Sequence, residues 1–162
     1  MVVAILSWLL AIPLLGLTTG LRTFTPMAVI CWFAYTGDLP VDGTWAAWTG
    51  HLWVAIAVTL LALAELVGDK LPRTPNRTAP GPLLARLVMG GLGGAICATG
   101  MNGPGLEGVL LGVLGALLGA FAGFMIRRDL VEKLGCADWI VAVAEDLFTI
   151  LCAMFALHVV TA

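Results

Sequence analysis

Residues 60–72 read LLALAELVGDKLP: an apolar run ends here, and Glu65, Asp69 and Lys70 appear within one and a half helical turns before Pro72 stops it. The run behind it reaches back to Gly50, long enough to approach the thickness of a bilayer. Glu65 and Asp69 are four residues apart, so a helix puts them on one face. A carboxylate near hydrocarbon costs about 2.5–3.5 kcal/mol on insertion scales, which makes this helix exit the place to look for function.

The rest of the composition agrees with a membrane setting. Of 162 residues, 60% are hydrophobic and 11% charged, and the mean hydropathy is +1.04. A soluble domain of this size has too much surface to hide so much apolar material. An all-α integral membrane protein with about six hydrophobic segments is expected, as one transmembrane domain over 1–162. The segments run over Val2–Thr19, Thr23–Tyr35, Gly50–Asp69, Pro82–Gly100, Gly105–Ile126 and Ala137–Val160. The second is short for a span, which leaves open a tilted helix, an extension toward Val41 or a re-entrant piece. The opening stretch MVVAILSWLLAIPLLGL lacks a basic start and a small-residue cleavage pattern, so a retained span is expected there.

If all six segments cross, Arg22, Lys70, Arg73, Arg77, Arg86, Arg127, Arg128 and Lys133, which are all the lysines and arginines, fall on one side. The positive-inside rule then makes that side cytoplasmic and both termini external. Trp32, Tyr35, Trp45, Trp48 and Trp53 gather near the opposite boundary as an aromatic belt. The net charge of −2 and the lack of a basic tract argue against a nucleic-acid partner. The lipid bilayer and an unidentified small solute or ion are the expected partners.

The turn Leu17–Pro26 (LTTGLRTFTP) resembles Cys97–Pro104 (CATGMNGP): a polar break follows an apolar helix, and a proline opens the next segment. One reading is an inverted repeat of two three-helix halves, 1–72 and 82–162, joined by a basic loop at 73–81. The other is Gly-Pro turn chemistry alone. The fifth segment carries Gly108, Gly112, Gly115, Gly119 and Gly123 at spacings of three and four, a stripe for close helix packing. The fourth segment, with its own glycines, is the natural partner, and a homo-oligomer seam is the rival use.

Arg22 sits on the Thr-Thr-Gly break, where Glu65, Asp69 and Glu145 need a cation. An arginine–carboxylate pair is the simplest way to hold such charges near hydrocarbon. Arg22, Glu65, Asp69, Glu145, Asp146 and Thr19 therefore form the expected ion- or substrate-binding set, with Glu145 as the sixth-segment partner of Arg22 and Glu65. Asp69, beside Lys70 at a helix end, has the weaker claim, and Arg73, Arg77 and Arg86 read as topology signals and lipid contacts. The same charges read alternatively as pins that lock helices together.

No metal or cofactor is expected: Cys31, Cys97, Cys136 and Cys152 lack metal-binding spacing, and His51 and His158 lie far from the acids. Ser7 is the one serine, and no nucleophile elbow or zinc-protease motif occurs. Metal-assisted lipid chemistry at the inner carboxylates ranks third, behind a small transporter or channel and a structural or assembly subunit.

The Gly20-Leu21-Arg22-x-x-x-Pro26 turn, the Glu65-x-x-x-Asp69-Lys70-x-Pro72 exit, the Arg/Pro loop and the glycine-rich run after it together resemble a group of small bacterial inner-membrane proteins known as a domain of unknown function. The resemblance covers nearly the whole chain. It implies a six-span bacterial inner-membrane protein and brings no activity with it.

Overall fold

The structure, a computed structural model, describes residues 2–69 and 78–161, with side chains from Trp8 onward. Lys70, Arg73 and Arg77 lie outside the described residues. Among those described there are six α-helices, one short 3-10 helix and no strand. They are α1 (Val2–Leu21), α2 (Thr25–Thr36), η1 (Ala47–Gly50), α3 (Leu52–Gly68), α4 (Pro80–Gly100), α5 (Gly105–Glu132) and α6 (Asp138–Thr161). Helices α4, α5 and α6 are each long and apolar enough to cross a bilayer, and Trp8–Leu21 and α3 are shorter apolar helices.

The expected segments become helices with shifted ends. α4 opens two residues early because Pro80 takes the first turn, where a missing N–H does no harm. α5 continues past Ile126 through the charged residues to Glu132. Charge ends an apolar run without ending a helix, because Arg and Glu are good helix formers.

Segment two is the exception in length. α2 has 12 residues, about 18 Å at 1.5 Å per residue, and stops at Gly37, whose φ of 85° suits a residue without Cβ. The chain from there to α3 is not a free loop. Leu39, Val41, Ala46 and Thr49 are buried, and Leu39 packs against Gly100 at the end of α4. The short helix is thus continued by a packed loop, not by more helix.

The centre is α5, held between α1 and α4. A Cβ added at Gly112 would run into the backbone of Gly90, and one at Gly108 into that of Gly94, both on α4. On the other flank, Gly115 and Gly119 meet the backbone of α1 at Pro13 and Leu17. Gly16 and Gly20 return the fit against Gly112, Ala116 and Ala120. The glycine stripe is thus used within the chain, toward α4 as expected and also toward α1. With no Cβ between them, backbones approach closely enough for dispersion to replace the hydrophobic effect that lipid withholds.

α6 packs along α1, and α2 reaches the same core through Met27 and Ile30, which face Gly93 of α4. α3 is the outlier. It packs on α2 and η1, buries only Ala55 and Ala62, and leaves Leu60, Leu61, Leu63 and Val67 exposed. The two halves do not share a packing pattern: α4 lies along α5, while α1 meets α2 only slightly.

Candidate functional site

At one end of the bundle, the α1–α2 junction, the C-terminal end of α3, the first turns of α4, the last turns of α5 and the first turns of α6 bring their charges together. Arg22 is at the centre, fully buried. Its Nε donates to Asp146 Oδ1 at 2.6 Å. Its Nη1 lies 2.7 Å from Asp69 Oδ2, at an angle too bent for a hydrogen bond, and Nη2 has no hydrogen-bond partner among the described residues. A buried cation needs counter-charges this close, because desolvating it costs several kcal/mol.

Asp69 is shared. The same Oδ2 accepts from Arg127 Nη1 at 2.8 Å, and Arg127 forks onto Asp138 through Nε and Nη2 at 2.9 Å each. Glu145 Oε2 stands 3.8 Å from Arg127 Nη1. Glu65 serves differently: its two oxygens accept the backbone N–H groups of Thr23 and Phe24 at 2.7 and 2.8 Å. These are orphan donors at the start of α2, which no side chain of α2 itself caps. Arg86, 5% exposed, approaches Glu65 at 3.9 Å.

The structure corrects the expected set in several places. Asp146, not Glu145, meets Arg22. The buried stripe of α6 runs Val141, Ala142, Asp146, Thr149, Ala153, and a helix turns each successive residue by about 100°, so Glu145 points toward α5 instead. Glu65 does not pair with Arg22 either; it caps α2. Asp69, given the weaker claim, joins Arg22 to Arg127 rather than sitting solvated. Thr19 spends its hydroxyl on the carbonyl of Leu15 in its own helix at 2.9 Å.

Two arginines were missed as site residues, and the sequence did hold a signal for both. Arg86 is four residues before Gly90 and eight before Gly94; Arg127 is four after Gly123 and eight after Gly119. Each continues a stripe that faces inward, so each turns inward too. Among the described residues no group of three or more His, Cys, Asp or Glu side chains converges as a metal site would. The carboxylates alternate with guanidinium groups instead.

Among the described residues, the opposite end carries no such network. Trp32, Tyr35, Trp45, Trp48 and Trp53 are all partly exposed there. Trp45 donates to Thr99 and Trp32 to Thr59, each at 3.0 Å.

The family described as a domain of unknown function, DUF4126, matches residues 9–161, which includes α1 from Leu9, all the later helices and all the charges above. The chain belongs to this family. No curated protein and no solved structure matches it significantly. Within DUF4126, then, this membrane bundle and its clustered charges are the physical basis for a functional argument.

Proposed function

We propose that this DUF4126 protein is a small transporter or channel for an ion or small solute, and that the charge cluster is the gate at one end of its pathway. The observation that carries the reading is Arg22, wholly buried and held by carboxylates from two separate helices, Asp69 after α3 and Asp146 of α6. Packed apolar side chains would hold the same helices as well or better, since a buried ion pair contributes little net stability. Charges can do what apolar packing cannot: a proton or bound cation on either aspartate weakens its hold on Arg22 and shifts the balance between closed and open arrangements.

α3 is the element such a switch would move. It packs on α2 and η1, and its charged end is held by Asp69 and Glu65. In the proposed orientation the charged end faces the cytoplasm and both termini lie outside, following the basic residues. The reading needs no inverted repeat. A homo-oligomer would have to form through other faces than the glycine stripe, which is used inside the chain.

A second reading has its own support. Every carboxylate in the cluster touches an arginine or a backbone N–H from another segment, which is what a pin in a structural or assembly subunit requires.

Reconstituted vesicles separate the two. Under an imposed potential, wild-type protein should pass protons, Na⁺ or K⁺ faster than protein-free vesicles, read by entrapped pH- and ion-sensitive dyes. Asp146→Asn should change that flux while the purified protein keeps a monodisperse elution profile. No flux above the protein-free rate for any of the three ions, with Asp146→Asn lowering only the melting temperature, sinks the gate and favours the pin.

A further inference from the structure

Beside the charge cluster, the last turns of α5 and the first turns of α6 diverge and leave a cavity of about 380 Å³. Ile126 and Leu130 wall it on one side, Ile140, Ala144 and Phe148 on the other, and Leu21 closes its floor. Arg127 and Glu145 are the two charged residues on its lining. The volume is that of a pocket for a small ligand or a stretch of hydrocarbon. Water gains little there, because apolar walls offer it few of the two to four hydrogen bonds it needs.

The occupant can be argued from where the cavity opens. Ile126, Ile140 and Phe148 line it and are also strongly exposed. On either side the surface continues as Phe121 and Met125 of α5 and Val143, Leu147 and Leu151 of α6, all exposed and apolar. In a membrane protein this surface faces hydrocarbon. The groove is therefore a recess in the lipid-facing wall, about 12 Å long along α6 by helical rise. Its polar end is also specific. Arg127 has five N–H donors, and three of them go to Asp69 and Asp138. Two remain, one on Nη1, which Glu145 of the lining approaches at 3.8 Å, and one on Nη2 for an acceptor in the groove.

We propose that this groove binds one acyl chain of a bilayer glycerophospholipid, with a phosphate oxygen of its head at Arg127. Guanidinium groups suit phosphate oxygens in charge and geometry. The chain fills the apolar recess, and the head lies at the level of the charged end. This site is independent of whether the cluster gates a pathway.

The test is photolabelling of the full chain in lipid nanodiscs with a phospholipid that carries a diazirine on its acyl chain, followed by mapping of the adducts by mass spectrometry. Adducts should concentrate on 126–130 and 140–148 over the equally apolar face of α3 at 60–67. Ala144→Phe fills the recess from an exposed position and should cut the groove adducts several-fold. Val143→Phe, which adds the same ring outside the lining, should not. If Ala144→Phe folds poorly, Ile140→Trp makes the same test. A diazirine-bearing fatty acid methyl ester, with the chain and no phosphate, should label the groove more weakly. Uniform labelling of all apolar faces, or equal yields from the Ala144 and Val143 variants, overturns the site. Equal labelling by the ester overturns the assignment of the head.

Discussion

The glycine-packed trio of α1, α4 and α5 and the charge-held end, which joins α1, α3, α5 and α6, fasten helices by opposite means. In the trio, backbone lies on backbone at Gly94–Gly108, Gly90–Gly112 and Leu17–Gly119. The contact is backbone on backbone and carries no charge for an ion to compete for. At the charged end, Arg22, Asp69, Arg127 and Asp146 hold α1, α3, α5 and α6 through pairs that a proton or a salt ion can compete for. The first kind of contact builds a frame; only the second can be undone without unfolding it. That contrast locates any moving part at the charged end, and most plainly at α3, which the frame does not touch closely.

The largest effect should come from breaking the frame. Gly112→Leu places a branched side chain where the backbone of Gly90 on α4 already lies. No rotamer avoids that overlap, because the clash begins at Cβ. The expected outcome is no folded protein, read as loss of the monodisperse fraction after mild-detergent extraction. A variant that extracts and melts like wild type would mean that α4 and α5 are not in such close contact.

Arg22→Gln should come next. It leaves Asp69 and Asp146 facing each other without their shared cation, a loss of about 3–5 kcal/mol for breaking a buried pair. Adding Asp146→Leu should recover part of that loss in a reversible denaturation titration, because the uncompensated acid goes with it. No recovery in the double variant would show that the frame, not charge compensation, sets the cost.

How far the sequence exposed all this differs between the two regions. The glycine stripe and its α4 partner were legible, because small residues at spacings of three and four have one ready use in lipid. The α1 face was less so: Gly16 and Gly20 are only two residues, and a stripe does not say how many neighbours it serves. At the charged end the residues were legible as a group, since ionisable residues in apolar runs stand out. Their pairing was not. Glu145 and Asp146 are adjacent, and choosing between them needs the phase of α6, which Ala142, Thr149 and Ala153 carry but the charges themselves do not. Arg86 and Arg127 read as topology markers because they lie at segment ends, although their spacing from the glycines pointed inward. Glu65 was singled out for its charge, yet its two hydrogen bonds to α2 depend on a helix start that lacks its own cap.

That capping role gives a smaller and sharper test. Glu65→Gln keeps the size and one carbonyl acceptor, but loses the negative charge at the positive end of α2 and one of two hydrogen bonds to Thr23 and Phe24. The loss should be about 1–2 kcal/mol, the range for helix N-terminal caps and their charge–dipole term. Its readout should be local: faster amide exchange at Thr23, Phe24 and the first turn of α2, with α4 and α5 unchanged. Exchange that rises equally across the glycine-packed helices would mean that the two regions unfold as one.

The smallest effect tests the middle of α3, where it meets α2. Trp32 Nε1 donates to Thr59 Oγ1 across the α2–α3 seam, and Thr59 also donates to the carbonyl of Ala55 in its own helix. Thr59→Val removes the acceptor and keeps the shape, so the indole N–H loses its partner while the apolar seam stays filled. Trp32 is 38% exposed, so the freed N–H can find water or a lipid head, and the loss should stay near the low end of about 0.5–1.5 kcal/mol for one net hydrogen bond. A melting temperature that falls as far as in Arg22→Gln would reverse the assignment above: α3 would then hang from its seam with α2, and Asp69 and Glu65 would be passengers on a helix already fixed.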